Sequence, residues 1–258
     1  MTDETKPLHL CVVMSDSYFP IYYNIFKRTL PAEFDSVNIL HVRGHDSAPG
    51  LVGEHNFKVI NCKKLEFIFE QLKAHQGDNL LVLDLDIIFF KEFKDEINFL
   101  LEKNDMLFQH NPHYDSVPYC VGVWALQCSQ KNINFFEKQI LPRSKTLLLT
   151  GEECVQVAKY AWEDPDKWLD VYKNFVHTLN GKQEIYSGDQ CVVNSAILES
   201  SMGKDIKVVL LPDTYTQDAS GGKDPKNCVL YHATGVEQDI VNKATHLVNA
   251  HERIMKLK

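Results

Sequence analysis

The chain has 258 residues, 44% of them hydrophobic and 24% charged, a globular composition that excludes disordered, collagen-like and coiled-coil classes and is long enough to bury a core without staples. With 27 Lys+Arg against 35 Asp+Glu the formal charge is −8, which repels a phosphate backbone and argues against nucleic acid or an anionic membrane surface as partner. The acidic, polar start MTDETKPLHL and the lack of a long apolar run predict neither a secretory leader nor a transmembrane segment, and seven cysteines with no C-x-x-C pair predict reduced thiols in a cytoplasmic setting.

In chain order, Leu8 to Met14 reads as a first strand, and Tyr22 to Leu30 as a helix with apolar residues three and four apart. Val37 to Val42 and Phe57 to Ile60 read as strands, Leu65 to Ala74 as a second amphipathic helix, and Leu80 to Phe90 as the most apolar strand. A helix at Phe93 to Leu101, strands at Met106 to Gln109 and Val121 to Gln127, and a helix at Ile133 to Ile140 continue the alternation. Val208 to Leu211 and Cys228 to Tyr231 are late strands. Gly181 to Gly188 and Asp213 to Lys226 are rich in Gly, Asp, Ser and Lys and read as loops, the second as a solvated loop or a flap. Strands alternating with helices predict an α/β fold with a mostly parallel central sheet flanked by helices. Neither a repeat nor a linker divides the chain, so residues 1–258 read as one domain.

The segment LLVLDLDIIFF, residues 80 to 90, sets Asp84 and Asp86 two apart in an apolar run. Strand periodicity puts both carboxylates on one face with Leu85 on the other. Two like charges at a buried strand end repel, and no structural partner for them is evident in the sequence. A divalent cation resolves the conflict: Mg²⁺ or Mn²⁺ takes one or two carboxylates and fills its shell with water and substrate phosphates. Ligands in such sheets bind outside the carboxyl ends of the strands. The bland alternative makes the pair strand-end or turn residues, one capping a helix.

An apolar strand ending in Asp-x-Asp resembles the metal site of GT-A type nucleotide-diphospho-sugar glycosyltransferases, and other landmarks follow in order. Ser15, Asp16, Ser17 and Tyr18 are similar to the turn with which glycogenin-like and lipopolysaccharide galactosyltransferases hold the nucleotide. Lys64, with Leu72, Lys73 and Gly77, resembles the Lys-led helix of the xylosyl- and arabinosyltransferase relatives. Tyr119 to Trp124 resembles a family strand in which Cys120 stands for Asn. Asp189-Gln190-Cys191-Val192-Val193-Asn194 resembles Asp-Gln-Asp-x-x-Asn. His232-Ala233-Thr234-Gly235 resembles the C-terminal His-x-x-Gly, with Gln238 where the family has Lys. Lys243 lies eight residues after Gly235, about 12 Å along a helix, and is set aside as a substitute.

The resemblance implies a metal-dependent GT-A enzyme that moves a sugar from a nucleotide diphosphate donor, UDP-linked, to a carbohydrate or glycoconjugate hydroxyl with retention. It implies Asp84, Asp86 and His232 as ligands of Mn²⁺ or Mg²⁺. Ser15, Asp16, Ser17, Tyr18, Lys64, Leu85 and Gly235 would bind the donor, and Asp189 with Gln190 would lie beside the transferred sugar. Bland readings stand next to these: Tyr18 as a core aromatic, His232 as a strand-end histidine bonded to backbone, and Ser187 with Gln190 as a capping box. His110 to Asp115 reads as an active-site loop, since Pro112 and the lack of a spaced Cys argue against zinc. A nucleotidyltransferase and a non-catalytic carbohydrate-binding domain are the rival functions. An excised catalytic domain, or a viral or phage enzyme, would read the same.

Overall fold

The computed structural model describes residues 6–44, 55–112, 117–149 and 188–217, then 226–234 and 240–257, together with the backbone of 176–179 and 182–185. Strand β1 (Leu8–Ser15) is followed by helical turns at 16–29 (α1), then β2 (Ser36–Val42) and the long helix α2 (His55–Ala74). Next come β3 (Asn79–Leu83), β4 (Ile87–Phe89), α3 (Lys94–Leu101), β5 (Met106–His110), β6 (Tyr119–Gln127) and helical turns at 130–148 (α4). The strands β7 (Val176–Leu179) and β8 (Lys182–Ile185) pair as a hairpin. The helix α5 (Asp189–Glu199), strands β9 (Val208–Leu210), β10 (Tyr215–Gln217) and β11 (Leu230–His232), and helix α6 (Ile240–Met255) complete the order.

The central sheet has six strands in the order β2-β1-β3-β6-β5-β9. Only β6 among them runs against the rest, since β1 is parallel to β2 and β3, β5 is parallel to β9, and β6 is antiparallel to β3 and β5. This is the expected mixed, mostly parallel sheet with helices on both faces. Residue alternation divides the core. Leu8, Leu10, Val12, Leu81 and Leu83 face α1 and α3, while Cys11, Leu80 and Val82 face α2, α4 and α5. β3 is buried along its whole length, as a strand covered on both faces must be.

Three expectations change. Phe57 to Ile60 is the start of α2, not a strand. A four-residue stretch with three apolar residues is too short to show a period, and here Phe57 extends the face that Asn61, Leu65, Ile68 and Leu72 bury. Leu80 to Phe90 is two strands in two sheets: β3 ends at Leu83, and β4 joins a small sheet of order β10-β11-β4. The turn 84–86 between them is pinned at both ends, Asp84 N donating to Gly122 O at 2.8 Å and Ala233 N to Asp86 O at 2.9 Å. The carboxylates therefore sit at a corner between sheets rather than on one strand face. The two expected loops each contain a strand, β8 in one and β10 in the other.

Candidate active site

Asp84, Asp86 and His232 converge from that corner and from the end of β11, with their ligand atoms all within 4.8 Å of one another. His232 Nε2 lies 3.4 Å from Asp86 Oδ1 and 4.0 Å from Asp84 Oδ2. The imidazole is 1% exposed, whereas the Asp84 side chain is 41% exposed, so the cluster opens to solvent on the Asp84 side.

The tautomer of His232 follows from its neighbours. Gln109 Nε2 donates to the Tyr215 carbonyl at 2.9 Å, and a carbonyl only accepts, so the other amide atom, Oε1, faces His232 Nδ1 at 2.9 Å. Nδ1 then carries the hydrogen, and Nε2 is the atom presented to the carboxylates. Burial opposes charge on this ring, but Asp86 outweighs it and the pKa is pushed up to about 10. A proton on Nε2 and a cation between the carboxylates are alternative occupants of the same place.

Both aspartates have cationic partners, which corrects the expectation that they have none. Lys64, on α2, is buried between Asp84 Oδ1 at 2.8 Å and Asp189 Oδ2 at 2.9 Å, and donates to Val121 O at 3.2 Å. Burial works against its charge, yet Asp189 and Asp84 hold its pKa above the ordinary lysine value. Lys243, on α6, reaches Asp86 Oδ2 at 2.7 Å and the Tyr18 hydroxyl at 3.4 Å. Burial would raise the Asp86 pKa, but Lys243 and then His232 keep it well below the carboxylate range. Asp189 is pushed upward by burial, with Lys64 opposing. Lys243 lies on α6 (Ile240–Met255) and reaches Asp86, which corrects the expectation that sets it aside.

Gly122 makes this packing possible. A Cβ there would lie 2.1 Å from His232 Cε1, 2.7 Å from Nε2 and 2.8 Å from Asp84 Oδ2, so only hydrogen fits between β6 and the cluster. Nearby, Asn194 clamps α5 to β6 by accepting from Tyr119 N and donating to Tyr119 O. Gly188, not Ser187, is the N-cap of α5. Its missing side chain leaves room for Phe57 and Asn61, each 3.1 Å from where a Cβ would be.

The remaining predicted residues fall in several places. Ser15 and Ser17 hydrogen-bond to each other at 3.0 Å, and Asp16 pairs with His41. Tyr18 is half-buried beside Lys243 and packs between two core clusters, as its core reading expects. Leu85 is buried in the core, and its side chain is a packing group. Gln190 N donates to Asp189 Oδ1 at 2.9 Å at the start of α5. Cys120 Sγ is 3.9 Å from His232 Nδ1. Gly235, Gln238 and Ser187 lie outside the described residues, as do His113 to Asp115. Gln109 and Lys243 are the site residues the sequence reading missed. Gln109 carried no signal beyond its place in an apolar strand.

No family model matches the chain, and no curated protein matches it. Among solved structures the chain is similar to a glycosyltransferase involved in glycosylation of the major capsid of PBCV-1, at 13% identity over 94% of this chain and 99% of that one, with a TM-score of 0.48. It is similar to the galactosyltransferase LgtC in complex with donor and acceptor sugar analogs, at 10% identity over 95% of both chains, TM-score 0.49. The glycosyltransferase GlyE of Streptococcus pneumoniae TIGR4 is 11% identical over 96% of this chain and 64% of that one, TM-score 0.46.

Proposed function

We propose that the chain is a metal-dependent glycosyltransferase that moves a sugar from a nucleotide diphosphate donor, UDP-linked, to a carbohydrate hydroxyl. The observation that carries this reading is the corner itself: two carboxylates and one tautomer-fixed imidazole gathered at the carboxyl end of β3, against a glycine that keeps the space clear. Asp84, Asp86 and His232 are a donor set that suits a divalent cation such as Mn²⁺ or Mg²⁺ bound together with phosphate oxygens. Such a cation, when bound, would offset the charge that gathers on the leaving nucleotide diphosphate.

The chain's own residues divide the rest of the work. Lys64 holds Asp84 and Asp189 in fixed positions, and Lys243 is a cation paired with Asp86, near where the diphosphate would lie. In transfer, the anomeric carbon exchanges its bond to the diphosphate oxygen for one to the acceptor oxygen, and the acceptor proton passes to the leaving diphosphate. Asp189, paired with Lys64, supplies negative charge beside the anomeric carbon rather than acting as an unengaged base, which favours retention. Tyr18 with Ser15, Asp16 and Ser17 at the end of β1 would border the nucleotide, and Gly235 would approach the diphosphate. The reading takes residues 1–258 as one catalytic unit. No helix among the described residues is long and apolar enough to cross a membrane, and a cytoplasmic setting fits the six free cysteines there.

Nucleotide release from a panel of UDP-sugars with Mn²⁺, with and without acceptor sugars, tests the reading. Release that depends on Asp84 and rises with acceptor supports transfer. Donor binding without turnover supports the carbohydrate-binding alternative, which Cys120 and Cys191 keep in view.

A further inference from the structure

At the opposite end of β1 and β3 lies a second group of metal-ligating side chains, His9, His75 and Asp78, whose ligand atoms are also within 4.8 Å of one another. They come from the start of β1 and from the turn of residues 75–78 that joins α2 to β3. That turn is tightly fixed. Gly77 takes a φ of +104°, a region that favours glycine. Asp78 N donates to His75 O at 3.0 Å, Gly77 N to Cys128 O at 2.9 Å and Cys128 N to Asp78 O at 2.9 Å. His75 and Asp78 are thus presented by a scaffold that the neighbouring end of β6 locks in place.

We infer that these three residues form a second cation site, selective for a borderline transition metal such as Zn²⁺ and separate from the Asp84 corner. His9 Nε2 lies 3.0 Å from Asp78 Oδ2, and His9 Nδ1 lies 2.9 Å from Ser36 Oγ. Ser36 Oγ also accepts from Asn38 Nδ2 at 2.9 Å. A hydroxyl both donates and accepts, so Ser36 can accept from His9 Nδ1–H as well, and in that tautomer the Nε2 lone pair faces the carboxylate and is open to a cation. The His75 ring stacks on His9 with centroids 3.7 Å apart and planes 21° apart, bringing a third donor alongside. Metal–nitrogen bonds near 2.0–2.1 Å require the stacked rings to turn so that their in-plane lone pairs converge, with water completing the shell on the half-exposed side. Two imidazoles and one carboxylate suit Zn²⁺ and not the oxygen-seeking Mg²⁺.

The test titrates Zn²⁺ into the full chain by calorimetry, with Co²⁺ absorption in the visible as a coordination readout, for the wild type, His75→Ala and Asp78→Asn. The expected result is a site in the wild type that weakens at least tenfold in both variants, with a four-coordinate Co²⁺ spectrum lost in parallel and UDP-sugar turnover unchanged in His75→Ala. NMR of the wild type should show the His9 and His75 imidazole nitrogens shifting together on Zn²⁺ addition. Zinc stoichiometry and affinity equal in all three proteins would overturn the inference and place the metal on other histidines. Imidazole nitrogens of His9 and His75 that do not shift would overturn it as well.

Discussion

At the carboxyl end of β3, Asp84 and Asp86 are each met by a lysine, Lys64 at 2.8 Å and Lys243 at 2.7 Å, whereas at its amino end Asp78 meets the imidazole of His9 at 3.0 Å. Both ends gather histidine and carboxylate. One does so at a corner where the chain leaves the sheet, with Lys64 and His232 nearly inaccessible to water; the other does so on a half-exposed turn. The difference lies in the counter-charges, lysines at one end and imidazoles at the other. Buried carboxylates need fixed counter-charges to remain ionised, and those same counter-charges become available to a phosphate-bearing ligand. Among the three carboxylates it is Asp86, 8% exposed, that burial ties to Lys243 and His232; Asp84 and Asp78 are both partly exposed, at 41% and 33%, and differ in meeting a lysine or an imidazole.

The sharpest way to break this contrast is to remove a carboxylate from each end. Asp84→Ala and Asp86→Ala should each reduce transfer at least a thousandfold, while Asp78→Ala leaves it within twofold, all measured as nucleotide release at saturating donor and Mn²⁺. The two active-end variants should also differ from each other. Asp86→Ala leaves Lys243 and His232 buried without their carboxylate and should cost about 3–5 kcal/mol, against about 1 kcal/mol or less for the more exposed Asp84. Because the Asp86 pKa is held below its ordinary value of 3.8, its contribution is complete above that pH and is lost as pH falls further. Acid melts of the wild type should therefore lose stability below about pH 4, and Asp86→Ala should lose less.

Next in size is Gly122→Ala. The added methyl would overlap the His232 ring, so the imidazole or Asp84 must move, and Mn²⁺ affinity should fall about a hundredfold or more with the fold retained by circular dichroism. A Gly77→Ala change at the other end has open space around its Cβ but a left-handed φ, so it should lower Tm without touching Mn²⁺ affinity. Unchanged Mn²⁺ binding in Gly122→Ala would separate the corner from any metal role.

Gln109→Met should be milder. It removes both the acceptor that fixes His232 Nδ1–H and the donor to Tyr215 O, with side-chain volume nearly kept. Loss of such an outer partner weakens metal binding by about ten- to a hundredfold. Long-range nitrogen NMR of His232 in the metal-loaded protein should show the Nδ1–H tautomer in the wild type and a mixture in the variant.

Much of the sheet was readable because its strands are apolar, short and bounded by turns: β1, β2, β5, β6 and β9 lie where alternation and composition put them. The Asp84–Asp86 pair was readable because two charges inside an apolar run demand an explanation. What could not be read is whatever depends on chain return. Lys243 reaches Asp86 because α6 packs against β4 and α1, and no local pattern encodes that. Phe57 to Ile60 falls in a helix because a stretch of three apolar residues around Lys58 has the same composition in a strand and in a helix turn. The corner at 84–86 was hidden for a related reason: a strand that changes sheets keeps its hydrophobicity on both sides of the bend.

The smallest expected effect belongs to Tyr18, which touches only the active end. Its hydroxyl accepts from Lys243 at 3.4 Å, a long contact that contributes little to holding the lysine, and its ring packs on core residues from two clusters. Removing the hydroxyl alone, in Tyr18→Phe, should leave the ring packing and the Lys243–Asp86 pair intact and change donor KM by no more than about threefold. Removing the ring, in Tyr18→Ala, should raise donor KM by about fivefold to tenfold with kcat nearly constant, the pattern of an interaction made equally in ground and transition states. The comparison of the two separates a nucleotide-bordering aromatic face from a hydroxyl that merely steadies Lys243. A kcat loss in Tyr18→Phe equal to that in Tyr18→Ala would assign the residue to positioning Lys243 instead. An unchanged donor affinity in both, by calorimetry with UDP and Mn²⁺, would leave Tyr18 a core aromatic and move the nucleotide away from the end of β1.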